Sequence, residues 1–302
     1  MHGSPPNIFL LSFKRRSVLR IILALLPVIL VFDATRVANS QPRIYRFGIP
    51  PWQKDLTVDD IRGRYKPLLE WLSQRLNCKF VIVGAKDYTE ISGLLAAGKI
   101  QIATISPTPY ILAQEKNPGV KMLVTELSWN SDRTRKTDSY RGYILSLKSR
   151  SDINSIADLK GKRFGFVDRK STSGFVVPNS YLREQGIDYR TYFSRFFFLG
   201  SHPRVTDAIV AGSLDAGTTW DFNWAEAIAK HGNVFKVLWT SPPIPNLGIA
   251  VHPSVTPDIQ KQLQTALVNA PPQLLKGLSA NGYVVRPESF YNSIRRMQKY
   301  SN

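Results

Sequence analysis

Phe164-Gly165-Phe166-Val167-Asp168-Arg169-Lys170-Ser171-Thr172-Ser173-Gly174-Phe175 is the stretch from which the fold is read. It begins as a short apolar strand, passes through a polar turn, and enters a helix through three consecutive hydroxyl residues. Ser and Thr start helices well because their side-chain oxygens accept from N–H groups that the first turn leaves unpaired. The remaining N–H groups, with the helix dipole behind them, make a ready anion site. Hydroxyl donors at that point, with Arg169 and Lys170 in the approach, suit a small tetrahedral oxyanion. Ser-Thr-Ser in isolation is equally a plain helix cap, so the surrounding chain has to decide.

On the N-terminal side, Arg43–Ile49 reads as a strand ended by Pro50-Pro51. Asp59 and Asp60 open an amphipathic helix whose stripe is Tyr65, Leu68, Leu69, Leu72 and Leu76. Strands at 79–83 and 100–105 follow, each leading into a helix, the first through Asp87-Tyr88-Thr89 and the second through Ser106-Pro107-Thr108. A strand at 140–147 and a short helix at 153–159 precede the strand 162–167 and the hydroxyl turn. Beyond the turn come a strand at 195–199, a helix opened by His202-Pro203, a strand at 215–221 with its exit loop, and a strand at 234–239. From Ile244 the chain returns through a strand at 248–251 and two or three helices. Strands alternating with helices imply βαβ units around mostly parallel sheets.

The layout is α/β and two-lobed. One lobe comprises 41–142 and returns at 243–302, and the second comprises 143–242. In such sheets ligands sit beyond the carboxyl ends of the strands. Tyr88, Ser106, Thr108, Ser171, Thr172, Ser173, His202 and Asp221 all follow an expected strand, and they come from both halves of the chain. That coincidence points to a cleft between the lobes. Taken singly, Tyr88 reads as a partly buried aromatic, His202 as a helix-entry residue, and Ser106 and Thr108 more as caps than as contacts. Trp52, Trp220 and Trp224 read more as core than as pocket wall.

The net charge of +18 over 302 residues calls for an acidic partner or a salty exterior compartment. Nucleic acid is not indicated, because no paired Cys/His finger or basic aromatic run is present and the cations are scattered. Residues 1–40 read as an export signal. Lys14, Arg15, Arg16 and Arg20 precede the apolar run 21–32, and Ala38-Asn39-Ser40 supplies small residues before Gln41. An uncleaved anchor is the competing reading, and Arg15-Arg16 is also compatible with a twin-arginine signal. Cys78 is the single cysteine, which rules out an intramolecular disulfide and reads as a buried structural thiol.

Carried by these residues, the mature sequence resembles the phosphate/phosphite/phosphonate-binding proteins of ABC importers, within the type II periplasmic-binding-protein fold. The resemblance lies in Phe47-Gly48-Ile49, Asp87-Tyr88, Ala97-Gly98-Lys99-Ile100-Gln101-Ile102-Ala103, Ser106-Pro107, Ser171-Thr172-Ser173-Gly174-Phe175 with Pro178, Gly200-Ser201-His202 and Asp215-Ala216-Gly217. It implies a cleft that grips a phosphorus oxyanion, with Ser171, Thr172 and Ser173 as the hydroxyl cluster, Tyr88 from the opposite lobe, and His202. Tyr140 lies near the place of a further cleft tyrosine. Asp221 lies near an acidic position that accepts from a protonated anion or from an amine on a larger phosphonate. The sequence departs from the family's pattern at Thr219-Trp220-Asp221-Phe222, which is bulkier than expected there.

The resemblance further implies a periplasmic location and a permease in the cytoplasmic membrane as partner, with no metal or cofactor. A membrane sensor as partner, or a sulfonate as cargo, remain alternatives. A monomer is expected. An enzyme is not: there is no H-E-x-x-H, G-x-S-x-G or P-loop pattern, and an approach of Ser173 and His202 across the cleft is the one arrangement that would make a hydrolase.

Overall fold

In β1 (Arg43–Ile49), Tyr45, Phe47 and Ile49 are buried while Ile44 and Arg46 are exposed, a period-2 alternation that ends at Gly48, where the second face is buried as well. The computed structural model describes residues 42–50, 58–130 and 134–299; the expected export signal and Trp52 lie outside them. α1 (Val58–Leu76) lays Tyr65, Leu68, Leu69, Leu72 and Leu76 into one core with the β1 side chains. Each such side chain contributes about 1.5–3 kcal/mol of burial free energy. Free Cys78 opens β2 (Cys78–Gly84) and is buried in the same core.

The chain continues through α2 (Tyr88–Ala96), β3 (Ile102–Ile105), α3 (Pro107–Lys116) and β4 (Lys121–Glu126). It then crosses to a second sheet, built from β5 (Gly142–Leu147), β6 (Arg163–Phe166), β7 (Arg195–Phe198), β8 (Ala216–Trp220) and β9 (Phe235–Thr240). α4 (Val177–Glu184) follows β6, α5 (His202–Val210) precedes β8, and α6 (Asp221–His231) precedes β9. The return adds β10 (Gly248–Val251), α7 (Pro257–Val268), β11 (Tyr283–Val284) and α8 (Asn292–Gln298).

Among the described residues the first sheet runs β11-β4-β10-β3-β1-β2 and the second β7-β6-β8-β5-β9. This is the two-lobed α/β architecture expected, with one correction: both sheets are mixed. β1 is parallel to β2 and β3, but β10 lies antiparallel between β3 and β4. β5 is likewise antiparallel to β8 and β9. β10 and β5 are the strands that enter each sheet directly from a crossing, without the helical crossover that makes neighbours parallel.

The two crossing segments are tied to each other. Ser139–Tyr140 pairs antiparallel with Ile244–Pro245. The Asn246 side-chain amide donates to Glu126 O, Ser128 Oγ and Thr137 O at 3.0, 3.0 and 3.1 Å. The strand expected over 140–147 is broken at Arg141, whose N–H leaves the ladder and donates to the Asp221 carboxylate at 2.6 Å. β4 and α6 were not anticipated; the stretch read as an exit loop after Trp220 is the start of α6.

The deciding stretch is held from below by aromatic packing. Phe166 meets Phe175 edge-to-face at 5.1 Å and Phe198 at 5.5 Å, while Phe164 stacks on Phe193 at 4.3 Å. Between Phe166 and Phe175 the backbone forms a wide turn, Thr172–Val176, that runs on into α4. Gly174 permits it, since a Cβ there would stand 2.4 Å from Val167 Cβ and 2.7 Å from Ser171 Oγ.

Candidate functional site

Ser171 caps the Thr172–Val176 turn, its Oγ accepting from Gly174 N–H at 3.1 Å. The helix-cap reading of the hydroxyl triplet therefore holds for one residue of the three. Thr172 instead reaches the other lobe: its hydroxyl oxygen accepts from the Thr108 N–H at 3.0 Å and donates to Thr108 Oγ1 at 3.1 Å. The hydroxyl of Tyr88, the first residue of α2 in the first lobe, shares a cavity wall with Ser171. Tyr140, on a crossing segment, shares it with Ser173 and Thr172. The two lobes thus touch directly through hydroxyl groups.

Between them lies a cavity of about 20 Å³, room for a few atoms. Nine residues line it, and none is more than 7% exposed. The first lobe supplies Tyr88 and Ser106, and the second Ser171, Thr172, Ser173, His202 and Trp220; the crossings supply Tyr140 and Leu247. Of the nine cleft candidates named from the sequence, seven converge here; Thr108 and Asp221 are not in the lining. Trp220 and Leu247 had not been placed there. Trp220 stands edge-to-face with Tyr140 at 5.3 Å and 6.0 Å from the His202 ring. Leu247 was legible only through topology, because a segment that crosses back between lobes passes the cleft.

Five of these residues are helix beginnings. Tyr88 and His202 are the first residues of α2 and α5, while Ser106, Ser171 and Trp220 occupy the N-cap positions of α3, the 172–176 turn and α6. A helix N-terminus carries roughly half a positive charge, so five around one cavity make a strongly anion-attracting field. No Lys, Arg, Asp or Glu lines it.

Two polar atoms at this cavity are buried without a hydrogen-bond partner: Ser106 Oγ and His202 Nδ1. Ser106 was read mainly as a cap, but it makes no side-chain capping bond. Its hydroxyl is left for the cavity. Burial pushes the His202 imidazole down to about 3, so the ring is neutral at physiological pH. Burial likewise pushes the Tyr88 and Tyr140 phenols up, and both stay protonated donors.

Asp221 is the exception, and its expected place in the cleft is corrected. It opens α6, where an acidic side chain suits the helix N-terminus. Its carboxylate accepts from Tyr143 Oη–H at 2.5 Å and from Arg141 N–H at 2.6 Å, and it lines a separate pocket rather than the cavity. Trp220, the residue before it, takes the cavity wall. Trp224 packs on Tyr143 at 4.7 Å, away from the cavity lining.

A family model described as ABC transporter, phosphonate, periplasmic substrate-binding protein matches residues 47–287. The chain belongs to this family. The phosphate-import protein PhnD of Mycolicibacterium smegmatis is 29% identical over 217 residues, which are 68% of this chain and 66% of that protein. The match thus spans just under two thirds of that relative's length. Among solved structures, the binding protein component of an ABC phosphonate transporter from Pseudomonas aeruginosa superposes with a TM-score of 0.74 at 19% identity, covering 86% of this chain and 87% of that one. PhnD1 of Prochlorococcus marinus in complex with methylphosphonate also gives 0.74, at 18% identity, over 85% and 98%. At those identities the superpositions establish the fold of this family member.

Proposed function

We propose that this protein is the extracytoplasmic solute-binding component of an ABC importer and that its cargo is a small phosphorus oxyanion: phosphonate, phosphite or phosphate. The observation that carries this reading is the ring of five helix N-termini around a cavity lined only by uncharged side chains. Hydroxyl and imidazole groups bond each oxygen of a tetrahedral anion, and bonds to an ionised acceptor are about twice as strong as neutral ones. Contacts from both lobes give the anion its differential affinity for the closed state, which is the form a permease would recognise. Arg169 and Lys170 steer the anion inward and act on the association rate. On this reading the protein is a carrier, with the His202 imidazole and the cavity hydroxyls as binding groups. Family membership supports a periplasmic setting, and the leader read in residues 1–40 is consistent with export.

A thermal-shift screen against phosphate, phosphite, methylphosphonate and sulfate tests the reading on protein stripped of co-purified ligand. Saturation at 100 times Kd adds about 2.7 kcal/mol and raises Tm visibly. The expected result is a shift with a phosphorus anion that Ser171→Ala/Thr172→Ala abolishes. A shift with sulfate alone, or with none of the four, overturns it.

A further inference from the structure

We propose that Tyr140 sets the upper size of the cargo, limiting it to phosphorus oxyanions whose fourth substituent is hydrogen, hydroxyl or methyl, by walling the oxyanion cavity off from a second pocket. The proposal rests on the oxyanion reading above.

The second pocket has a volume of about 180 Å³, against 20 Å³ for the cavity, and is lined by Tyr143, Arg141, Asp221 and Trp129 among others. Among the described residues Tyr140 is the single residue common to both linings. It therefore stands between the two. It is also fixed. Its backbone is paired with Ile244, its ring lies edge-on to Trp220 at 5.3 Å, and it shares the cavity wall with Ser173 and Thr172. A rotamer change that opened the partition would break all of the side-chain contacts at once, in a residue only 5% exposed.

The apolar parts of the lining are Trp220, Leu247 and the Tyr140 ring, the groups available to meet a carbon substituent. An oxyanion seated on the helix N-termini has its fourth substituent against these apolar groups. A methyl group fits a few-atom cavity; an ethyl or propyl chain must push into the Tyr140 ring. On the far side the Asp221 carboxylate, already holding Tyr143 and the Arg141 N–H, gives the second pocket a polar floor able to stay hydrated.

The test is a calorimetric series of methyl-, ethyl- and propylphosphonate on the mature protein, with phosphite and phosphate alongside. The wild type is expected to lose at least tenfold in affinity from methyl to ethyl and more to propyl. Tyr140→Ala is expected to compress the methyl-to-propyl ratio to within about threefold. Tyr140→Leu, which keeps an apolar core side chain, provides the intermediate ratio should the alanine variant fail to fold. A wild type that binds methylphosphonate and shows no loss along the series overturns the Tyr140 proposal and leaves the oxyanion reading standing. So does a folded Tyr140 variant whose ratio equals that of the wild type. A wild type that binds none of the phosphonates, phosphite or phosphate overturns both.

Discussion

Thr108 and Thr172 bond to each other twice across the two lobes, the Thr172 hydroxyl accepting from the Thr108 N–H at 3.0 Å and donating to Thr108 Oγ1 at 3.1 Å. The pair is buried, so closure is favoured by the protein itself before any anion contributes. Thr108→Val removes the hydroxyl–hydroxyl bond and leaves the cavity lining intact. At about 0.5–1.5 kcal/mol for one net hydrogen bond, anion affinity falls roughly 2- to 12-fold. Small-angle scattering of the unliganded variant should show a larger radius of gyration than wild type. An unchanged radius and Kd would mean that this pair does not bias closure.

His202 carries two opposite effects in one side chain. Its folded-state pKa is pushed down to about 3 by burial, while the unfolded imidazole titrates near 6.5. Stability is thus fully present above pH 6.5 and lost as pH falls from there toward 3. His202→Gln removes that loss, worth of order 2 kcal/mol at pH 5. The same variant weakens anion binding at pH 7 by tenfold or more. Urea melts at pH 5 and 7 with parallel titrations separate the two; a variant that is less stable at pH 5 and binds normally would contradict both.

Glu126 behaves in the reverse sense. Burial raises its carboxyl to about 7, opposed by hydrogen bonds from Ser279 and Thr104, and among the described residues no cation pairs with it. Because the unfolded carboxyl ionises near 4.3, stability declines as pH rises from there to about 7 and then levels. Glu126→Gln should be the more stable protein at pH 8, by up to about 3 kcal/mol, and equal to wild type near pH 4. Equal urea midpoints at pH 8 would show that Glu126 is solvated in the native state.

At Gly174 the prediction is steric. An added Cβ meets Val167 Cβ at 2.4 Å, a neighbour that is itself fully buried. Gly174→Ala should cost about 1–3 kcal/mol as overpacking and lower anion affinity by displacing Ser171, whose Oγ it also approaches. Circular dichroism melts read the first effect and calorimetry the second. An alanine variant with wild-type Tm and Kd would sink the claim that this turn tolerates glycine alone.

Much of the cleft was legible because strand–turn–helix grammar puts polar residues at strand ends, and Tyr88, Ser106, the hydroxyl triplet and His202 all obey it. Asp221 was misplaced for an identifiable reason. Thr219-Trp220-Asp221-Phe222 was read as a loop, whereas Asp221 starts α6 and so turns to Arg141 and Tyr143. Trp220 was discounted because most single tryptophans are core, and here the core wall and the cavity wall coincide. Thr108 and Thr172 were each placed at the cleft, but nothing in the sequence paired them. They lie 64 residues apart and meet only through lobe closure. Mixed sheet direction was hidden likewise, since a returning strand such as β10 looks the same in either orientation.

The absence of charged side chains from the nine that line the cavity has an electrical consequence. On the proposed reading each bound dianion lowers the net charge of the whole molecule by two, less any proton taken up, and no ionised side chain in the lining offsets that charge locally. Loaded and unloaded forms therefore migrate differently in an electric field. Under the proposed function, a permease facing this basic protein would meet a less positive one when cargo is bound.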